Sequence, residues 1–453
     1  MSGRPRAAGW MLALCLGAGL PAAADTEIAR EGQSCPDTGG GTFWEFGQTR
    51  ITDAGWVAFY ALCRFPGQGT WSPRGLFAHD GVALRKLVMT LDPAPGPPGA
   101  YFDQILALSE GPAVNDQGEF VFEANFGVPP VGAGGNALFE GGPGGLQELV
   151  RAGDPLPPPL TGTFFSFARK DLNDAGELVF EATLSSTFDN GLFRISNGQI
   201  TVVAAEGMPV PDGSGELWGE FGTPTINSHG DIAFHAFVGG QPGAVALIRD
   251  GVTELVVRGG DTAPGTGGML FTRFVSDRVA IDDQGGVVFL AEAGHGSAQG
   301  VFRYADGEVV AIALRDTKAP FPGAVLDYLR FQPSVSRSGR VVIPVYVEND
   351  AGQFDALIQA VGTQLHAVRL AGDPAPGGDT YVEFSNGATT TPPSIDSLGT
   401  VAFNALLDDG SNAVFLASPG AQVPAVPPPA WLGGAATLLV IGRAQLRRLR
   451  RRT

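Results

Sequence analysis

The sequence predicts an all-β fold: a seven-bladed β-propeller with four-stranded blades, the last completed by the N-terminal strand. Three observations predict it. A turn of the form Asn173-Asp174-Ala175-Gly176, followed by an alternating strand, is written seven times. Each copy is followed by a second hairpin. The last copy stops one strand short, and a matching strand stands at the opposite end of the chain.

The turns set the blade count. Their glycines are Gly55, Gly118, Gly176, Gly230, Gly285, Gly339 and Gly399, spaced 63, 58, 54, 55, 54 and 60 residues apart. Three residues before each stands Thr52, Asn115, Asn173, Asn227, Asp282, Ser336 or Asp396. All can hydrogen-bond the turn backbone, while glycine accepts positive φ without steric cost. Four residues after come Phe59, Phe122, Phe180, Phe234, Phe289, Ile343 and Phe403. Strand alternation puts each on one face with the residue two before it, so one face of this strand is expected to be core.

The second hairpin carries a signature such as Gly191-Leu192-Phe193 or Gly300-Val301-Phe302. Asp80-Gly81, Asn197-Gly198, Asp250-Gly251 and Asp306-Gly307 are strong two-residue turn signals. A fourth strand, for example Glu254 to Arg258, ends in a Gly-Asp loop. A Pro/Gly connection then carries an aromatic into the next unit (Phe167, Phe221, Phe274, Phe331, Phe384). Four strands in about 55 residues make a propeller blade.

The seventh unit ends after Val414-Phe415-Leu416. Glu27-Ile28-Ala29-Arg30-Glu31-Gly32 aligns with the fourth-strand segment Glu254-Leu255-Val256-Val257-Arg258-Gly259. The first strand is therefore expected to complete the last blade. Joining ends so far apart costs about 5 kcal/mol of loop entropy. Several ladder hydrogen bonds at about 1 kcal/mol each and burial of Ile28 at roughly 2 kcal/mol offset it. Closure also removes two open sheet edges. An open solenoid has no use for the complementary fragment. Cys35 and Cys63 fall beside this seam, and either a disulfide or two buried thiols fits them.

Hydrophobic content of 44% with 17% charged residues excludes a disordered acidic chain. The formal charge is −17. Removing the two arginines of residues 1–24 and the six after Pro419 leaves 29 − 8 = 21 bases against 46 acids, a body near −25. Such a surface repels nucleic acid and anionic lipid, so no nucleic-acid partner is expected.

Arg4 and Arg6 precede an apolar run from Trp10 to Leu20, then Pro21 and Ala22-Ala23-Ala24. This predicts a signal peptide over 1–24 with cleavage between Ala24 and Asp25, hence export. The body is expected over 25–418, followed by a stiff Pro-rich linker at 419–429. Residues 430–453 form an apolar stretch closed by arginines, which the charge rule holds on the cytoplasmic side. This tail resembles the PEP-CTERM type of sorting signal, here with a Val-Pro head (Val423-Pro424) in place of Pro-Glu-Pro. The resemblance implies an exosortase-like processing enzyme and release or anchoring at the cell surface. A plain C-terminal membrane anchor is the alternative.

Asn115/Gly118/Phe122, Asn173/Gly176/Phe180 and Asn227/Gly230/Phe234 keep the pattern Asn-x-x-Gly-x-x-x-Phe intact. In this the body resembles bacterial choice-of-anchor tandem-repeat proteins. That resemblance implies an exported surface chain and no particular activity.

For chemistry, Asp154, Asp261, Asp316 and Asp373 recur at one place in the blade. They are either caps of their own loops or a cation site, calcium being the ion suited to oxygen ligands. No other cofactor is expected. The histidines are scattered, and Arg64, Arg169, Arg194, Arg249 and Arg303 are spread over several blades. The leading expectation is a non-catalytic binding or scaffold module for a surface or matrix glycan or protein. The alternative is a propeller hydrolase or lyase acting on extracellular polysaccharide.

Overall fold

The computed structural model describes residues 25–418, except 68–71, 97, 107–110, 128–133, 186–188, 240–242, 276–277, 330–331 and 385–391. The expected signal peptide, linker and sorting tail lie outside the described residues. Among these, the strands form seven antiparallel sheets. Blade 3 has an unbroken inner strand: Phe164–Leu172 lies nearest the axis, then Leu178–Leu184, Asn190–Ser196 and Gln199–Ala205 outward. In five blades the inner strand is broken in two, as in Phe271–Phe274 and Ala280–Ile281 of blade 5.

The second strand of each blade is buried on both faces, where alternation led us to expect one. Val57 to Ala61 and Leu178 to Ala182 are buried throughout. The reason is stacking. Each blade has a neighbour against both faces, so its central strand reads as a continuous apolar run. The core is accordingly divided into seven clusters, one between each pair of neighbouring blades. Phe180 and Phe193 face blade 2, whereas Val179 and Leu192 face blade 4. Phe180 and Phe193 stack at 5.6 Å, and Phe164 meets Phe193 edge-on at 4.9 Å. Pairs of this geometry contribute about 1 kcal/mol beyond their buried area.

Blade 7 is built from both ends of the chain. Its sheet runs Tyr381–Glu383 and Ser394–Ile395, Val401–Leu407, Asn412–Ala417 and finally Thr26–Arg30. Thr26 pairs with Leu416, Ala29 with Val414 and Arg30 with Ala413. Ile28 occupies a bulge in this ladder and packs in one cluster with Val414, Phe43 and Phe59. The outer strands of the other six blades bulge at the equivalent place, which adds local twist to each.

Three further links hold the seam. The buried Asp25 carboxylate accepts from Nε and Nη2 of Arg369, on blade 6, and from the Tyr381 hydroxyl at 2.6 Å. Arg30 reaches Asp379 at 2.7 Å, Ser411 at 2.9 Å and Asp409 at 3.0 Å. A disulfide joins Cys35, in the connection from blade 7, to Cys63 on blade 1, with Cα atoms 6.4 Å apart.

Candidate functional site: the axial mouth

The seven repeated turns converge at one end of the central axis, here the turn face. All seven glycines have positive φ, and each donates its N–H to the carbonyl of the residue three before it. In Asn173 the side-chain oxygen accepts from Ala175 N–H at 3.0 Å and Glu177 N–H at 2.9 Å. Its amide nitrogen donates to the Asn227 carbonyl of the next blade at 3.0 Å. Asn115 and Asn227 make the same link to their own neighbours. Asparagine is suited to this position because it accepts within its own turn and donates to the next.

A second requirement on the turn glycines is spatial. A Cβ at Gly230 would stand 2.7 Å from Nη2 of Arg194, which comes from blade 3. Arg194 also bonds Glu177, Arg249 bonds Asp231 and Arg303 bonds Asp282. These three arginines therefore do not meet. Each pairs with its own blade's turn and lies against the turn glycine of the next, and Arg303 also donates to the Gly339 carbonyl at 3.2 Å. Burial lifts the Asp282 carboxyl above its usual range despite the Gly286 and Gln284 N–H groups and Arg303.

One copy of the turn carries a basic residue, and it organises the mouth. Where blades 1, 2, 3 and 5 carry Asp53, Asp116, Asp174 and Asp283, blade 6 carries Arg337. Its Nη1 lies 2.6 Å from Asp116, 4.0 Å from Asp53 and in closer contact with Asp174. The guanidinium thus spans the mouth to three other blades. Burial opposes the Asp116 charge, yet the Ala54 N–H and Arg337 outweigh it and hold this carboxyl below its usual range. In turn Asp174 and Asp116 raise the Arg337 pKa against the effect of burial.

Two more cross-links lie deeper. Arg50 of blade 1 bonds Asp171 of blade 3 at 3.0 Å, and Asp171 also accepts from Ile226 N–H at 3.1 Å. Arg278 of blade 5 donates to Gln48 of blade 1 at 3.1 Å and contacts Thr223 at 3.4 Å. Lys170 lines the same space. The cavity among these groups is about 120 Å³. Ligand clefts usually offer roughly 300 Å³ or more, so the axial space is narrow for one.

The four recurring aspartates lie elsewhere, one to a blade in the loops of the opposite face. Asp154, Asp261 and Asp373 each accept from a backbone N–H three residues earlier, that of Arg151, Arg258 and Leu370. Asp92 and Gln33 do the same in blade 1 and at the seam, two members of the set that sequence reasoning missed. Asp316 instead sits at positive φ with its side chain exposed. Among the described residues no group of three or more His, Cys, Asp or Glu side chains is arranged to hold a metal. His229 is a turn residue and His235 a buried one packed near Phe274. Arg337, Arg50, Asp171 and Arg278 were also missed. The available signal was Arg337 itself, an arginine at a turn position that four other blades give to aspartate.

Comparison with known proteins bears on the family. The chain is similar to the β-propeller domain of the Trilobed protease from Pyrococcus furiosus, which has an open velcro topology. Identity is 9% over 84% of this chain and 97% of that one, with a TM-score of 0.47. An acylaminoacyl peptidase from Pyrococcus horikoshii is 9% identical over 80% of this chain and 49% of its own, TM-score 0.42. A polysaccharide lyase of family PL25, an ulvan lyase, is 11% identical over 87% of this chain and 96% of its own, TM-score 0.40. Likeness at this level bears on neither activity nor ligand. No curated protein matches the chain. One family model matches residues 19–185, 65–243 and 237–418, about three blades at a time and together nearly all of the body. The chain therefore belongs to the Family of unknown function (DUF7453).

Proposed function

We propose that this chain is an exported, surface-held propeller that acts as a non-catalytic binding or scaffold module for a glycan or protein of the surface or matrix. The observation that carries this is the state of the axis. Its charged groups bond one another across the ring, and about 120 Å³ remains between them. Recognition then falls to the faces, as fold alone names no ligand. In this reading residues 1–24 direct export with cleavage before Asp25. The tail, which resembles a PEP-CTERM signal, hands the chain to an exosortase-like enzyme or holds it in the membrane. The tandem-repeat likeness supports the same address.

The second reading, a hydrolase or lyase of extracellular polysaccharide, draws on the carboxylates and arginines that do converge at the axis. Asp171 is ion-paired there, and Asp116 is paired with Arg337 and held low, which makes it a poor general acid. Incubating residues 25–418 with matrix glycans separates the two. Saturable binding without new chain ends supports the module; new reducing or unsaturated ends that accumulate with time support the enzyme. Mass spectrometry of exported protein tests the processing step, and an intact Arg452-Thr453 end argues against tail removal.

A further inference from the structure

The axial cavity behind Arg337 has a charge balance unlike that of the rest of the molecule. In a body with more than twice as many acids as bases, its wall holds four cations among the described residues, Arg50, Lys170, Arg278 and Arg337. Three carboxylates stand with them, Asp53, Asp171 and Asp283. Each of the three is turned to donors of the wall itself. Asp53 accepts from the Ser397 N–H at 2.7 Å and from its hydroxyl at 2.6 Å. Asp283 accepts from the Ser228 N–H at 3.0 Å and from its hydroxyl at 2.9 Å. Asp171 accepts from Arg50 and from the Ile226 N–H.

Strand register places the cations at successive depths. Arg337 stands at the turn-face opening, drawn to Asp53, Asp116 and Asp174. Arg50 and Asp171 occupy equivalent places further in, opposite Ala58 and Val179 of their own blades. Lys170 lies one residue beyond Asp171 and is 7% exposed. Arg278 is deepest. Its Nη1 donates to Gln48, two residues beyond Arg50, and its Nε to Thr223. A guanidinium from blade 1, an ammonium from blade 3 and a guanidinium from blade 5 thus line one space of about 120 Å³.

We propose that this cavity binds one small inorganic oxyanion, of the phosphate or sulfate type, held by Arg50, Lys170 and Arg278. Arginine offers several N–H groups in a fixed plane that matches the edge of a tetrahedral oxyanion, and lysine adds a compact point charge. The space is well below the roughly 300 Å³ of an ordinary ligand cleft, which selects a free ion over an ester of a larger molecule. The acidic exterior sharpens the selection, since an anion is repelled by the outer surface and stabilised where cations are gathered. Once bound, the ion joins blades 1, 3 and 5 through one body, as Arg337 joins blades at the mouth. The site goes beyond the surface-module reading and stands whether or not a glycan or protein docks on the faces.

The test is equilibrium dialysis of the full chain against radiolabelled inorganic phosphate in about 0.1 M sodium chloride, which screens exposed charges. We expect a saturable site for one phosphate per chain, emptied by unlabelled sulfate. Arg50→Gln and Arg278→Gln should each weaken it about tenfold or more, while Arg278→Lys keeps it within about threefold. Arg85→Gln, at an exposed position on blade 1, should leave it unchanged. The arginines of the tail are common to every variant, so a loss in Arg278→Gln belongs to the cavity. No saturable binding to the unmutated chain overturns the proposal without recourse to any variant. Unchanged affinity in both folded glutamine variants overturns it too. Displacement by a hexose phosphate as strong as that by phosphate overturns the assignment to a free ion.

Discussion

The ring is closed twice, at its rim by the N-terminal strand and at its axis by Arg337, and the two closures differ in burial. At the rim, Asp25 and Arg369 have side chains 3% and 7% exposed. At the axis, Arg337 is 31% exposed and its carboxylate partners 20% to 26%. A buried pair holds strongly once formed, because losing one partner strands the other away from water. An exposed cluster is screened and contributes little per contact. The comparison teaches that similar contact geometry across the ring has different worth at the two places, and that the rim carries most of it.

Breaking the rim should therefore give the largest effect. Arg369→Ala leaves Asp25 buried and uncompensated and is expected to cost about 3–5 kcal/mol in urea unfolding. No loss would mean that Asp25 is not held at the seam. Removing the disulfide by Cys35→Ser with Cys63→Ser should cost about 3 kcal/mol, since it releases a closed loop of 28 residues. Thermal melts with and without reductant give the same comparison in the unmutated chain.

Smaller effects sharpen the contrast at the axis. Asn173→Ala strips two N–H groups and one neighbouring carbonyl of their partner, and about 2 kcal/mol of destabilisation is expected. Arg337→Ala should cost only about 1 kcal/mol. A loss as large as that of Arg369→Ala would put the main closure at the axis instead. The same variant should change the pH dependence. The Asp116 carboxyl is held below its ordinary range, so the stability it gives is present above about pH 4 and is lost as pH falls through its lowered value. Arg337→Ala should flatten that acid limb of the stability curve. Chelator is expected to leave the melting midpoint unmoved, because Asp154, Asp261 and Asp373 already bond their own turns.

The regular blades were legible because each repeats a local device. An Asn or Asp three residues before a glycine, then a phenylalanine four after, is enough to mark a turn and its strand. The seam was legible for a related reason. Ile28 and its neighbours match a strand that the seventh unit lacks, and complementarity of that kind survives any separation along the chain. The candidate site was much less visible. Asp154 and its equivalents repeat in sequence, yet repetition placed them apart, one on each blade. Arg337, Arg50, Asp171 and Arg278 do not repeat, and the side chains they bond across the axis lie two or three blades away round the ring.

What the sequence by itself determined is the unit, the number of units and the fragment that closes them, since these depend on turn chemistry and strand alternation within about 55 residues. Only the tertiary structure decided that the central strands are buried on both faces, that turn asparagines bond from blade to blade, and that one arginine spans the axis. It also decided that Thr26 and Ala417, near the two ends of the described residues, stand at one face of the ring. These features depend on which blades stand opposite one another once the ring is shut, and that distance is set by closure and not by neighbours in the chain.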